Sequence, residues 1–104
     1  MKYTNRNEKL TIYLEGRVTA ANASELEAQI DELLDETGAH ALELNAKELE
    51  YISSAGLRMV IRLLDRLDDA VSLVDASRDV YDIFEMTGLT QQMTVRRSLR
   101  QVSI

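Results

Sequence analysis

The sequence predicts a single α/β domain over residues 1–104, built on a mixed or parallel sheet of four to five strands. Three observations carry that prediction. Segments with period-two alternation are separated by segments with helical spacing, in regular order along the chain. Glycines stand where the helical stripes give out, at Gly38 and Gly88. A chain of 104 residues buries about 60–70% of its unfolded surface, enough for one core without disulfides or metal.

The elements follow in order. In Lys9–Leu14, Leu10, Ile12 and Leu14 share one face, the pattern of a half-buried strand. The preceding Lys2–Thr4 reads as a short antiparallel partner joined through the turn residues Asn5–Glu8, and Gly16 is expected to end the longer strand. Asn22 opens a helix as its N-cap, with Glu25 completing a capping box and Leu26, Ile30, Leu33 and Leu34 on one face. Ala41–Leu44 reads as the next strand. Asn45–Glu50 is polar and reads as a loop, with Tyr51–Ile52 a brief strand edge. Leu57, Val60, Ile61, Leu64 and Leu67 form a second helical stripe, opposite Arg58, Arg62, Asp65, Arg66 and Asp69. Ala70–Val74 is a core strand. Ser77 caps a third helix carrying Val80, Ile83 and Phe84, which Thr87-Gly88-Leu89 closes. Met93–Val95 reads as a last strand, and Arg96–Val102 as a closing turn or tail. Connections between parallel strands are expected to be right-handed.

Composition excludes several classes of function. Net charge is −6, so the chain as a whole repels nucleic acid and anionic membrane. The arginines near the end (Arg96, Arg97, Arg100) are too few for a nucleic-acid patch, and four Tyr, one Phe and no Trp make no base-stacking platform. No apolar run approaches the ~20 residues of a membrane span. The polar start, MKYTNRNEKL, lacks the apolar core of a secretory signal. With no cysteine, disulfides and thiolate metal sites are excluded; a cytoplasmic protein is expected.

Catalysis finds little support. The single histidine, His40, sits at the mouth of a strand and reads as a surface residue; nothing brings it to Ser53 or Ser54. There is no G-x-S-x-G elbow, P-loop, dinucleotide fingerprint or metal-ligand spacing. The carboxylates lie mainly on polar helix faces. No cofactor is expected.

The stretch Tyr51–Val60, YISSAGLRMV, is different. Two hydroxyls and a glycine stand where a helix begins. Ser53 or Ser54 serves as cap, and Gly56 permits close packing. A helix start also offers free N–H groups and the positive end of the dipole, which suit a phosphate. A phosphoserine brings a charge of about −1.5 to −2 and three acceptor oxygens. The helix tolerates that charge; a partner docked over it does not.

The stretch ISSAGLR, preceded by ELNAKELEY, resembles the signature of STAS domains, specifically bacterial anti-sigma factor antagonists. EGRVTAANASEL is similar to the family's loop before the first helix, and LVDASRDVYDIFEMTGLTQQMTV to its penultimate strand, third helix and Thr-Gly-Leu stop. The likeness runs in order from Leu10 to Val95. It implies a STAS-like fold with the helices packed on one side of the sheet. Aligned on Gly56-Leu57, Ser53 stands where the family has Asp, Ser54 at the first hydroxyl position and Ala55 at the second. The resemblance therefore implies Ser54 as phosphoacceptor, with Ser53 the alternate.

It also implies a role. The unphosphorylated chain binds an anti-sigma factor that is a serine kinase, and a sigma factor is released. Phosphorylation ends the complex, and a PP2C-type phosphatase restores the chain. The implied contact surface takes in Thr19, Ala20 and Asn22 of the first loop, and Ser53, Ala55, Gly56, Leu57 and Arg58. The alternative is a STAS module that senses or scaffolds without phosphorylation, as part of a larger regulatory protein.

Overall fold

The computed structural model describes residues 1–99. Its elements are β1 (Tyr3–Arg6), β2 (Lys9–Val18), α1 (Ala23–Thr37), β3 (Ala41–Ile52), α2 (Ser54–Arg66), β4 (Val71–Ala76), α3 (Arg78–Met86), a 3-10 turn (Leu89–Gln91) and β5 (Thr94–Arg97). The five strands form one sheet in the order β1-β2-β3-β4-β5. β1 pairs antiparallel with β2, and every other pair is parallel. The expected mixed sheet is therefore observed, with strand order equal to chain order.

That order explains where the helices lie. Each crossover from β2 onward steps in the same direction, and repeated right-handed crossovers place every helix on one face. The inward residues of the strands (Leu10, Ile12, Leu42, Leu44, Leu73) form one buried cluster with Ile30 and Leu34 of α1, Met59, Val60, Leu63 and Leu64 of α2, and Val80 and Phe84 of α3.

The first hairpin turns at Asn7 and Glu8, both at positive φ (51° and 64°), the geometry of a two-residue type I′ turn. β2 does not end at Gly16. It runs on to Val18, with Gly16 at φ 68°, a backbone that glycine adopts without strain. β3 likewise continues through Asn45–Glu50, where the polar composition predicts a loop. Its register against β2 jumps twice, between the pairs Tyr13↔Asn45 and Glu15↔Glu48, and between Gly16↔Leu49 and Arg17↔Tyr51. β3 holds an extra residue at each jump, so its inward positions run Leu42, Leu44, Ala46, Leu49, Ile52 and strict alternation is lost. Asn45 marks the first jump by accepting the Lys47 amide at its Oδ1 (3.0 Å).

The other three strands shift as well: β1 covers Tyr3–Arg6 where Lys2–Thr4 is expected, β4 covers Val71–Ala76 where Ala70–Val74 is expected, and β5 covers Thr94–Arg97 where Met93–Val95 is expected. Ile61, placed by spacing on the buried stripe of α2, is 49% exposed; Met59 and Leu63 fill the core instead. The helix stops hold: Gly38 and Gly88 take φ of 67° and 82°, and Leu89 is buried. Arg100 and the rest of the tail lie outside the described residues.

Candidate functional site

β3 pairs with β4 only from Leu42 to Asn45 but with β2 as far as Val18↔Ile52. The ends of β2 and β3 thus form a two-stranded arm beyond the body of the sheet. The residues that leave each strand at its tip are Thr19–Asn22 from β2 and Ser53–Ser54 from β3. They are tied together by the Ser53 amide, which donates to the Val18 carbonyl at 2.8 Å. In parallel sheets, ligand and partner sites form in such loops at the carboxyl ends of the strands. The arm is braced on its outer face by Arg17, whose guanidinium lies 4.5 Å from the centroid of its cross-strand neighbour Tyr51.

The two serines have different jobs. Ser53 has extended backbone (φ −86°, ψ 176°) and is the N-cap of α2; its Oγ accepts the Gly56 amide at 3.4 Å. Its carbonyl accepts the Leu57 amide at 2.9 Å, the first turn of the helix. Asp and Ser are equally good caps, so serine at this position keeps the function that an aspartate would supply. Ser54 is the first residue inside α2. It is exposed, and among the described residues its hydroxyl has no hydrogen-bond partner.

Gly56 is buried against the arm. A Cβ at this position would stand 2.5 Å from Ile52 Cγ1 and 2.8 Å from Val18 Cγ1, so only glycine lets α2 start this close to β2 and β3. Ala55 packs half-buried on the core, and Leu57 is buried within it. Arg58 is exposed one turn beyond Ser54. Ser54, Arg58, Ile61 and Asp65, at i, i+4, i+7 and i+11, share one outward stripe of α2. Of these, Ile61 lies at the surface although its spacing predicts the core. Its signal lies in the spacing from Ser54, but an isoleucine at near-core spacing reads first as core.

Asn22 departs from expectation. As N-cap of α1 its side chain makes no cap bond, so no capping box forms with Glu25. It holds the loop instead: Oδ1 accepts the Thr19 amide at 2.9 Å, and Nδ2 donates to the Arg17 carbonyl at 2.9 Å. Thr19 Oγ1 accepts the Ala21 amide, and the Thr19 carbonyl accepts the Ala23 amide. Ala20 is exposed at the crest of this closed turn.

α1 and α2 are clamped side by side. Arg62 grips Glu27 with Nε and Nη2 (3.0 and 2.8 Å), and Arg66 spans Asp31 (2.9 Å) and Asp35 (2.6 Å). Hydrogen bonding to Glu27 and to Asp35 holds the two guanidiniums above their ordinary pKa. His40, by contrast, lies at the start of β3 and the serines at its end. At ~3.3 Å per residue a 12-residue strand separates them by ~40 Å, which rules out a Ser–His pair within the chain. Among the described residues no group of three or more His, Asp or Glu is placed to hold a metal, and no helix is long and apolar enough to cross a membrane.

Residues 1–102 match the STAS domain family model. The chain belongs to the STAS family. It is 34% identical over 88 residues to BtrV of Bordetella bronchiseptica, which bears the description anti-sigma factor antagonist; the match spans 82% of this chain and 75% of that protein. Its fold is shared with an anti-sigma factor antagonist from Mycobacterium paratuberculosis (TM-score 0.81, 17% identity, 96% of this chain and 86% of that one). It is shared too with the Bacillus cell fate determinant SpoIIAA in its phosphorylated form (TM-score 0.66, 18% identity, 90% of each chain). As a STAS protein of this kind the chain is a regulatory binding protein and not an enzyme.

Proposed function

We propose that the unphosphorylated chain binds, in the cytoplasm, an anti-sigma factor that is also a serine kinase, and so frees a sigma factor. Phosphorylation of Ser54 ends the complex, and a PP2C-type phosphatase restores the binding form. The observation that carries this reading is the division of labour between the serines: Ser53 is occupied as a cap, while Ser54 presents an unengaged hydroxyl to solvent. The BtrV relationship supports the partner class, and the existence of SpoIIAA in a phosphorylated form supports the switch.

The docking surface consists of the closed loop Thr19–Asn22, the Ser53–Ala55 corner, and the outward stripe of α2 with Arg58 and Ile61. Gly56 and Leu57 shape it from beneath. Phosphate in the middle of such a surface opposes docking by desolvation and like-charge repulsion. The test is to incubate the chain with its kinase and ATP and map the product by mass spectrometry. Phosphate on Ser54 is expected; none on Ser54 overturns the switch. A companion measurement is Ser54→Asp, expected to weaken kinase binding tenfold or more, about 1.4 kcal/mol, with the fold unchanged.

A further inference from the structure

α2 carries arginines at three successive turns, Arg58, Arg62 and Arg66. Two are spent on α1. The pairs Arg62–Glu27 and Arg66–Asp31 share one register, 35 residues apart in the chain. The same register sets Arg58 against position 23, which is a buried alanine. The other acid within reach of the pattern, Glu27, lies 31 residues from Arg58, the separation of the Arg66–Asp35 pair. Arg62 already holds both of its carboxylate oxygens. Arg58 is therefore the vacant rung of the ladder: exposed, and without an ion pair or side-chain hydrogen bond among the described residues.

Arg58 is also four residues beyond Ser54 on the same outward stripe. An acidic group one turn N-terminal to a basic one is the favoured orientation of an i,i+4 helix pair. A guanidinium suits phosphate because its planar fork donates two parallel hydrogen bonds. We propose that Arg58 is the internal receptor for the phosphate of Ser54, so that phosphorylation both places charge on the docking surface and withdraws an arginine from it. This rests on Ser54 being the modified residue. It makes the switch a change in two groups: the unmodified surface offers a free arginine to the partner, and the modified surface offers neither the arginine nor a neutral serine.

The experiment places phosphoserine at position 54 by genetic encoding, so the outcome does not depend on a kinase. The second ionisation of the phosphate, ordinarily near pH 6, is followed by phosphorus NMR at low salt. It is compared in the otherwise unaltered chain, in Arg58→Gln and in Arg62→Gln. The midpoint is expected about 0.3 pH lower in the unaltered chain than in Arg58→Gln, the size of one i,i+4 ion pair. Arg62→Gln, one turn further along and facing α1, is expected to leave it unmoved. Equal midpoints in the unaltered chain and Arg58→Gln overturn the pairing, as does an equal shift from Arg62→Gln, which would mark a general field. Failure of a kinase to modify Ser54 would overturn the functional reading without touching this titration.

Discussion

At the scale of single residues, the start of α2 separates structure from signal. The cap is Ser53, so the loss of a capping hydroxyl is felt there. Ser53→Ala is expected to cost about 1 kcal/mol in urea unfolding, and Ser53→Asp to keep wild-type stability. Ser54→Ala is expected to stay within about 0.5 kcal/mol of wild type, because its hydroxyl bonds nothing in the fold. A cost at Ser54 equal to that at Ser53 would assign the cap to both. Gly56 is the least replaceable of the group. Gly56→Ala forces a methyl onto Ile52 and Val18, and is expected to lose about 1–3 kcal/mol with a fall in kinase affinity as the corner shifts. The role of this glycine was legible as close packing. Which serine caps was not: both are good N-caps, and the choice depends on where β3 ends.

At the scale of elements, the fold is legible in the sequence where periodicity holds and is hidden where periodicity fails. β3 shows this. Two extra residues are taken up as irregularities against β2, so Lys47-Glu48 and Glu50-Tyr51 stand side by side as outward pairs and the inward spacing widens from two to three. A window scored for alternation sees a loop. β2 shows the same effect at Gly16, a strand residue with a turn backbone. Helices were read more accurately, because Gly38, Ser77 and Gly88 signal their ends directly. The Asn22 cap and Ile61 are the exceptions, the latter exposed where its spacing predicts core. Its exposure predicts that Ile61→Ala leaves stability within about 0.5 kcal/mol and weakens partner binding, which calorimetric titration against the kinase would measure. An unchanged affinity would remove Ile61 from the docking stripe. The clamp between α1 and α2 belongs to this scale too. With both guanidiniums held above their ordinary range, the arginines stay charged from acid to well into alkali. On the arginine side the contribution is present below that range and is lost only as pH rises into extreme alkali. Salt rather than alkali should therefore loosen the clamp: Arg66→Gln is expected to lower the melting temperature at low ionic strength and to matter less at 1 M salt.

At the scale of the whole molecule, the longest dimension is 43 Å, close to the ~40 Å run of β3, against 29 and 25 Å across. The arm made by β2 and β3 accounts for that shape, and it puts the candidate site at one end of the protein, away from β1 and β5. The interior strand segments Lys9–Ile12, Leu42–Asn45 and Ser72–Leu73 have neighbours on both edges and the helices on one face. β1, whose four residues are all exposed, has one neighbour and contributes no residue to the core. Amide exchange should follow this gradient, fastest in β1 and slowest in the interior segments, since local opening tracks the burial that opposes it. A partner docked on the arm tip then leaves a specific footprint. Slowed exchange is expected at Thr19–Asn22 and along the first turns of α2, with β1 and β5 unchanged. Protection that appears along β1 or β5 instead would place the partner on a sheet edge, and Ser54 would then lie outside the contact it is proposed to control.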